Sequence, residues 1–230
     1  MSERPLTSHH IIETASQLFQ NAGFDDVSLL QIAEAADVTL EELERVACNK
    51  ERLVLLLYQE LAQDTLAWSH SLSVDSAANH YYDALQYRLA QLEPHSDAMS
   101  ALFAAALRPR GAVKAADISP GKRDPLLQAF SHLVSISYDK PPKASDADTL
   151  VLTLYSLHFL VLLFWFYDRS EQQRATQLLI EFLREFFKMM RPMLVMPLFT
   201  TAMHKMAKIM MLVFGGARLV EDNEGTPPKN

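Results

Sequence analysis

The sequence is poor in the residues that brace small folds or announce chemistry. Cys48 is its only cysteine, which excludes an intramolecular disulfide framework and a cysteine-based zinc site. Glycine occurs six times in 230 residues, and runs of alternating polarity are few, which argues against an all-β chain. No HExxH, Walker loop, glycine-rich dinucleotide motif or GxSxG is present. The histidines, among them His9-His10, His80, His95 and His132, show no metal-ligand spacing with a nearby carboxylate. Catalysis has no foothold in such a sequence, and neither a metal nor another cofactor is expected. No long apolar run precedes Asp25, so no secretory signal is visible and a cytoplasmic location is expected. A surplus of basic charge is missing too: the formal net charge is −7.

Hydrophobic residues make up 49% of the chain and charged ones 21%, enough apolar material for a large core. Helical periodicity predicts nine or ten helices and an all-α fold. Between Ile11 and Tyr58 the pattern is an apolar helix up to Phe19, a break at Gly23 and a short helix over 29–36. A tight turn at Asp37-Val38, a second short helix from Thr39 and a long helix opened by Lys50 follow. That is the layout of a helix-turn-helix, which lays its second short helix in the major groove of DNA. Ser28 has the chemistry to cap the first short helix, and Thr39 with Glu42 three residues on is a capping-box pattern.

The charge on this segment opposes DNA. Residues 1–60 hold eleven acids against four bases, so the whole net charge of −7 sits there. Non-specific DNA affinity comes mainly from counterions released by Lys and Arg contacts. The second short helix instead carries Glu41, Glu42 and Glu44 against Arg45 alone.

Residues 10–58 resemble the N-terminal domain of the TetR family of bacterial transcriptional regulators. The matched positions are Ile11, Ala15, Phe19, Gly23, Phe24, Ser28, Ile32, Ala33, Ala36, Val38, Thr39, Leu43, Lys50, Glu51 and Leu53. Val27, Leu30, Asp37, Glu41, Glu42, Glu44 and Ala47 depart from the family pattern. At Glu44 and Glu42 that pattern has a Tyr and a small residue such as Thr, which commonly touch phosphates. The resemblance implies a small three-helix head over 1–50 and a larger ligand-binding and dimerisation body over 51–217. A polar tail over 218–230 is expected to be disordered. If the head reads DNA, Ser28, Thr39, Arg45 and Lys50 are the residues to carry the contact.

The body is read from its apolar segments. Residues 150–167 carry no formal charge apart from His158 if it is protonated, a run close to the length that spans a bilayer. Thr153, Ser156 and His158 within it, and its being the single such segment, favour a buried helix. In TetR-like proteins the last two long helices, here about 147–167 and 171–191, form a dimeric four-helix bundle. That implies a homodimer with Leu160, Phe164, Leu179, Phe182 and Phe186 at its interface. Tyr87, Phe103, His158 and Trp165 are candidates to line a pocket for an apolar small molecule or lipid. His158 would be its polar handle, or else a core histidine bonded to backbone or water.

Two further stretches stand out. Residues 109–125 form a proline- and glycine-containing loop with Arg110, Lys114, Lys122 and Arg123, and Arg108 just before it. It reads as a solvated loop or as a basic lip over an anionic ligand. Eight of the ten methionines fall between Met189 and Met211. A final amphipathic helix is predicted over 198–214, with Phe199, Met203, Met206 and Met210 on one stripe and Thr201, His204, Lys205 and Lys208 on the other face. At about 1.5 Å per residue it is too short to span a bilayer. Its soft stripe suits a partner protein, a dimer cover or a peripheral membrane contact at the inner membrane. Asp168-Arg169-Ser170 followed by Thr176, with this extra helix, is similar to the ubiquinone-biosynthesis accessory proteins of TetR-like fold. Two functions stand: a TetR-like regulator whose apolar ligand controls DNA binding by the head, and a repurposed scaffold that binds lipid without reading DNA.

Overall fold

A computed structural model describes residues 4–108, 113–118 and 124–190, with Pro192, Thr201, Ala202, Lys205 and Ile209. Among them are ten α-helices and no strand, as the helical periodicity requires. The helices are α1 (Arg4–Ala22), α2 (Leu29–Ala35), α3 (Leu40–Val46), α4 (Lys50–Ser69), α5 (Ala77–Leu92), α6 (Ser96–Leu107), α7 (Ala115–Ile118), α8 (Pro125–Ile136), α9 (Ala144–Tyr167) and α10 (Arg174–Met190). Pro94 lies in a 3₁₀ turn, Glu93–His95, that joins α5 to α6. The basic loop is described only in part: α7, with Lys114 just before it, lies within the stretch, while Arg110, Lys122 and Arg123 fall outside the described residues. The methionine stripe of Phe199, Met203, Met206 and Met210 also lies outside them.

The chain divides into two compact units. The first comprises the described residues of Met1–Leu61 and Ala90–Ile118, the second those of Ala62–Leu89 and Ser119–Asn230. In the first, α1 buries Ile11, Ile12, Ala15 and Phe19, one apolar stripe at helical spacing. It ends at Gly23, whose N–H bonds to the Phe19 carbonyl at 2.9 Å and whose φ of 86° then turns the chain out of the helix. The helices α1, α2 and α3 pack in succession, and Ile32, Ala33 and Leu43 close the small core. The Phe24 N–H donates to Asp97 Oδ2 at 2.8 Å, tying the α1–α2 connection to α6.

In the second unit α8 packs against α9, and α9 packs on α10. Asp124 caps α8 by accepting from the Leu126 N–H at 2.8 Å, and Pro125 supplies the fixed first turn. The 24-residue α9 is long and apolar enough to cross a membrane by length and composition. However, 61% of its most apolar 18-residue stretch is buried within the protein, as in the core helix of a folded body. On α10, Thr176, Ile180, Leu183 and Phe187 form the buried stripe at spacings of four, three and four.

Candidate functional site

The helix-turn-helix is built from local bonds. Ser28 caps α2: its Oγ accepts from the Gln31 N–H at 3.2 Å, and Gln31 Oε1 accepts from the Ser28 N–H at 2.8 Å. Thr39 and Glu42 repeat the arrangement at α3, at 3.2 Å and 2.9 Å. Between the helices Asp37 has a φ of 53°. There the Asp37 N–H reaches the Glu34 carbonyl (3.3 Å) and the Val38 N–H reaches Ala33 (3.0 Å), the two bonds of a Schellman ending. Leu43 anchors α3 inward, while Leu40, Glu41, Glu42, Glu44 and Arg45 face solvent. Thr39 holds the Glu42 carboxyl below its ordinary range through its backbone N–H and then its hydroxyl.

Each candidate DNA contact already has a partner inside the head. The Ser28 and Thr39 hydroxyls donate to Gln31 and Glu42 at 2.9 Å and 2.8 Å. The Arg45 guanidinium donates to Glu41 Oε1, one helical turn back, at 2.5 Å. Lys50 Nζ donates to the backbone oxygens of Phe24 at 2.6 Å and Asp25 at 3.2 Å, with the Phe24 ring 4.6 Å away. An open cleft of about 450 Å³ beside it is lined by residues 25–29 and 48–51.

The second unit carries an apolar groove of about 700 Å³. It is lined by Leu157, Leu160, Val161, Leu163, Phe164 and Tyr167 of α9, Asp168 and Arg169 after it, and Leu179 and Leu183 of α10. Leu160, Phe164, Tyr167, Leu178, Phe182 and Met189 are all exposed in this single chain. The Phe182 and Phe186 rings stack at 5.8 Å. At the α9–α10 corner Asp168 accepts from the N–H and hydroxyl of both Ser170 and Thr176, at 2.6 to 2.9 Å. Those bonds, the Ser170 hydroxyl first, hold the Asp168 carboxyl far below its ordinary range. They also brace Gln172 and Gln173, both at a φ of 53°.

No family model and no curated protein matches the chain. Among solved structures it is similar to a TetR transcriptional regulator from Nitrosomonas europaea. The two share 19% identity at a TM-score of 0.50, over 79% of this chain and 96% of that one. The fold is TetR-like.

Within this TetR-like fold the pocket candidates separate. Phe103 belongs to the first unit, where it meets the Tyr58 ring edge-on at 5.8 Å. Tyr87, His158 and Trp165 belong to the second. Tyr87 stacks on Trp68 at 4.3 Å, and Trp165 donates to Gln173 Oε1 at 2.6 Å. His158 is fully buried, and neither ring nitrogen has a hydrogen-bond partner.

Around His158 the TetR-like body holds polar groups that the sequence reading did not select. Arg88 is fully buried, with Nη1 donating to Thr65 Oγ1 at 3.3 Å. Asp124 accepts from the Tyr155 hydroxyl as well as from Leu126, and burial pushes its carboxyl up. Burial first, and the Arg88 charge second, push the His158 imidazole well down, so it is neutral. Tyr81, buried beside Phe130, has a hydroxyl with no hydrogen-bond partner. A signal for Arg88 existed: with Tyr81, Leu85 and Leu92 it falls on the buried stripe of α5 at spacings of four, three and four. An arginine at a core position of an amphipathic helix is an anomaly that periodicity alone exposes. His80, by contrast, is satisfied by Ser137, Leu133 and Ser73, as in a structural core histidine.

Proposed function

We propose that this protein is a TetR-like transcriptional regulator acting as a homodimer, with an apolar ligand in the body controlling how its heads engage DNA. The observation that carries this reading is the helix-turn-helix, both of whose helices are closed by complete capping boxes and whose second helix presents a solvent-facing side. Such a helix can be laid in a major groove. Its carboxylates would have to read by accepting from cytosine amino groups, a recognised base contact. The exposed apolar stripe of Leu160, Phe164 and Phe182, with Leu179 and Phe186, is the surface that a second copy would cover. Tyr87, His158 and Trp165 are the body residues proposed to face the ligand. No catalytic role is proposed.

The test is retention of genomic DNA fragments by the purified protein at low salt, followed by a salt titration. Selective retention of a few fragments is the expected result. The slope of log affinity against log salt should be shallow, since each neutralised phosphate contributes about −0.9 and the head has four basic residues in its first 60.

A second reading has its own support. All four candidate DNA contacts are engaged within the head, and Glu41 and Glu44 would face phosphates. On this reading the protein is a TetR-like scaffold that binds an apolar molecule or lipid and does not read DNA. The stripe of Phe199, Met203, Met206 and Met210 would meet a membrane surface or partner. Absence of retention at about 50 mM salt, where electrostatic binding is strong, would select it.

A further inference from the structure

Resting on the reading of the body as a ligand-binding unit, we propose that Tyr81, Arg88 and His158 form the head-group end of a site for a monocarboxylate with an apolar tail. A free fatty acid is the simplest member of that class. Tyr81 and Arg88 lie seven residues apart on α5, hence on one face. Helix α9 brings His158 to the same neighbourhood, with Phe130 of α8 between them. The Phe130 ring centre is 5.9 Å from that of Tyr81 and 5.8 Å from that of His158. The Tyr81 hydroxyl and both His158 nitrogens are buried without a hydrogen-bond partner. Buried polar atoms are almost always paired, so three orphans around one ring call for a partner from outside the chain.

The chemistry of that partner follows from the donors. A neutral imidazole offers one N–H, the tyrosine one O–H, and Arg88 a permanent positive charge. Oxygen acceptors with negative charge answer the two donors and the arginine's charge, whereas a cation would be repelled by the arginine. The remaining imidazole nitrogen, a lone-pair acceptor, stays among the Phe130 and Phe159 rings. One charge suits better than two, because Asp124 also lies within the electrostatic reach of Arg88, and a phosphate dianion would leave charge uncompensated in a buried site. The surroundings are apolar: the Phe159 ring lies 5.1 Å from that of His158 and 5.1 Å from that of Tyr155, which suits an acyl chain.

The test uses the full-length protein, stripped of lipid, titrated with octanoate, dodecanoate and hexadecanoate and with the matching alcohols below micelle-forming concentrations. The acid of the best-fitting length should bind at least about tenfold more tightly than its alcohol, the effect expected of one charge-assisted hydrogen bond. Tyr81→Phe removes only an unbonded hydroxyl, so the unliganded protein should keep its Tm while affinity for the acid falls about tenfold. His158→Leu should behave in the same way. Equal affinity for acid and alcohol, or no binding of either, overturns the proposal. So does a Tyr81→Phe protein with lowered Tm and unchanged affinity, since the hydroxyl would then be held by structural water. Acid binding with no DNA retention would leave this site standing and remove the regulator reading; DNA retention without acid binding would do the reverse.

Discussion

At the scale of single residues, function here turns on which polar groups are already spoken for. Ser28, Thr39, Arg45 and Lys50 have the chemistry of phosphate contacts, yet each spends it inside the head. Asp37 shows the converse, a residue kept where another would be easier. Its φ of 53° falls in the left-handed region, which glycine enters without the steric cost of a Cβ. Asp37→Gly should therefore raise stability by about 0.5–1 kcal/mol, read from the midpoint of denaturant unfolding. His158 sets a pH dependence. Its folded form stays neutral well below the ordinary value of 6.5, while the unfolded chain takes up a proton near that value. The unfolded state then binds more protons, so stability is full above about pH 6.5 and falls on acidification towards the folded value, by up to about 1.4 kcal/mol per pH unit. Denaturant unfolding from pH 7.5 to 5 should show this fall, and His158→Leu should flatten it.

At the scale of helices, α9 and α10 carry the surface proposed for dimerisation. Buried on one side by the core, α9 and α10 still expose Leu160 at 41% and Phe182 at 61%. Large exposed apolar side chains clustered on two packed helices are candidates for a protein–protein contact. Replacing Leu160 and Phe182 together with Glu should turn the proposed dimer into a monomer at micromolar concentration, measured by sedimentation, because two carboxylates per chain would be buried unpaired. Helix content by circular dichroism should stay unchanged, since both side chains face solvent in the single chain. Dimers that persist in the double variant would mean that association uses another surface. Asp168 controls where α10 starts, by gathering the N–H groups of Ser170 and Thr176 on one carboxylate. It therefore fixes where the α10 stripe lies along α9.

For the molecule as a whole, the uneven charge is the dominant fact. The first 60 residues hold all seven units of net negative charge, while the remainder balances. Glu42 is fixed in its capping box, so the carboxylates that can be removed without unravelling α3 are Glu41 and Glu44. Changing both to Gln takes the head from −7 to −5 and frees Arg45 from its ion pair. Non-specific DNA affinity at about 50 mM salt should rise by roughly three- to tenfold, measured by fluorescence anisotropy on random duplex. An unchanged affinity would mean that the head has lost its DNA surface beyond these two positions.

The sequence by itself determined the all-helical class, the Ser28 cap, the Thr39–Glu42 capping box, the stop at Gly23 and the turn at Asp37; that Gln31 completes a second box with Ser28 came from the structure. These depend on residues within about four positions of one another, which is the reach of helical hydrogen bonds and caps. The polar residues Thr153, Ser156 and His158 in an otherwise apolar run likewise favoured a buried helix for α9, which is mostly buried in its most apolar stretch. Only the tertiary structure decided what each polar group meets. Lys50 finds the carbonyls of Phe24 and Asp25, Tyr155 finds Asp124, and His158 finds aromatic rings and no partner for its nitrogens. Phe103 and His158, grouped by type in the sequence, fall in different compact units. Side chains more than twenty residues apart meet through the packing of whole helices, and no local pattern records which faces will be opposed.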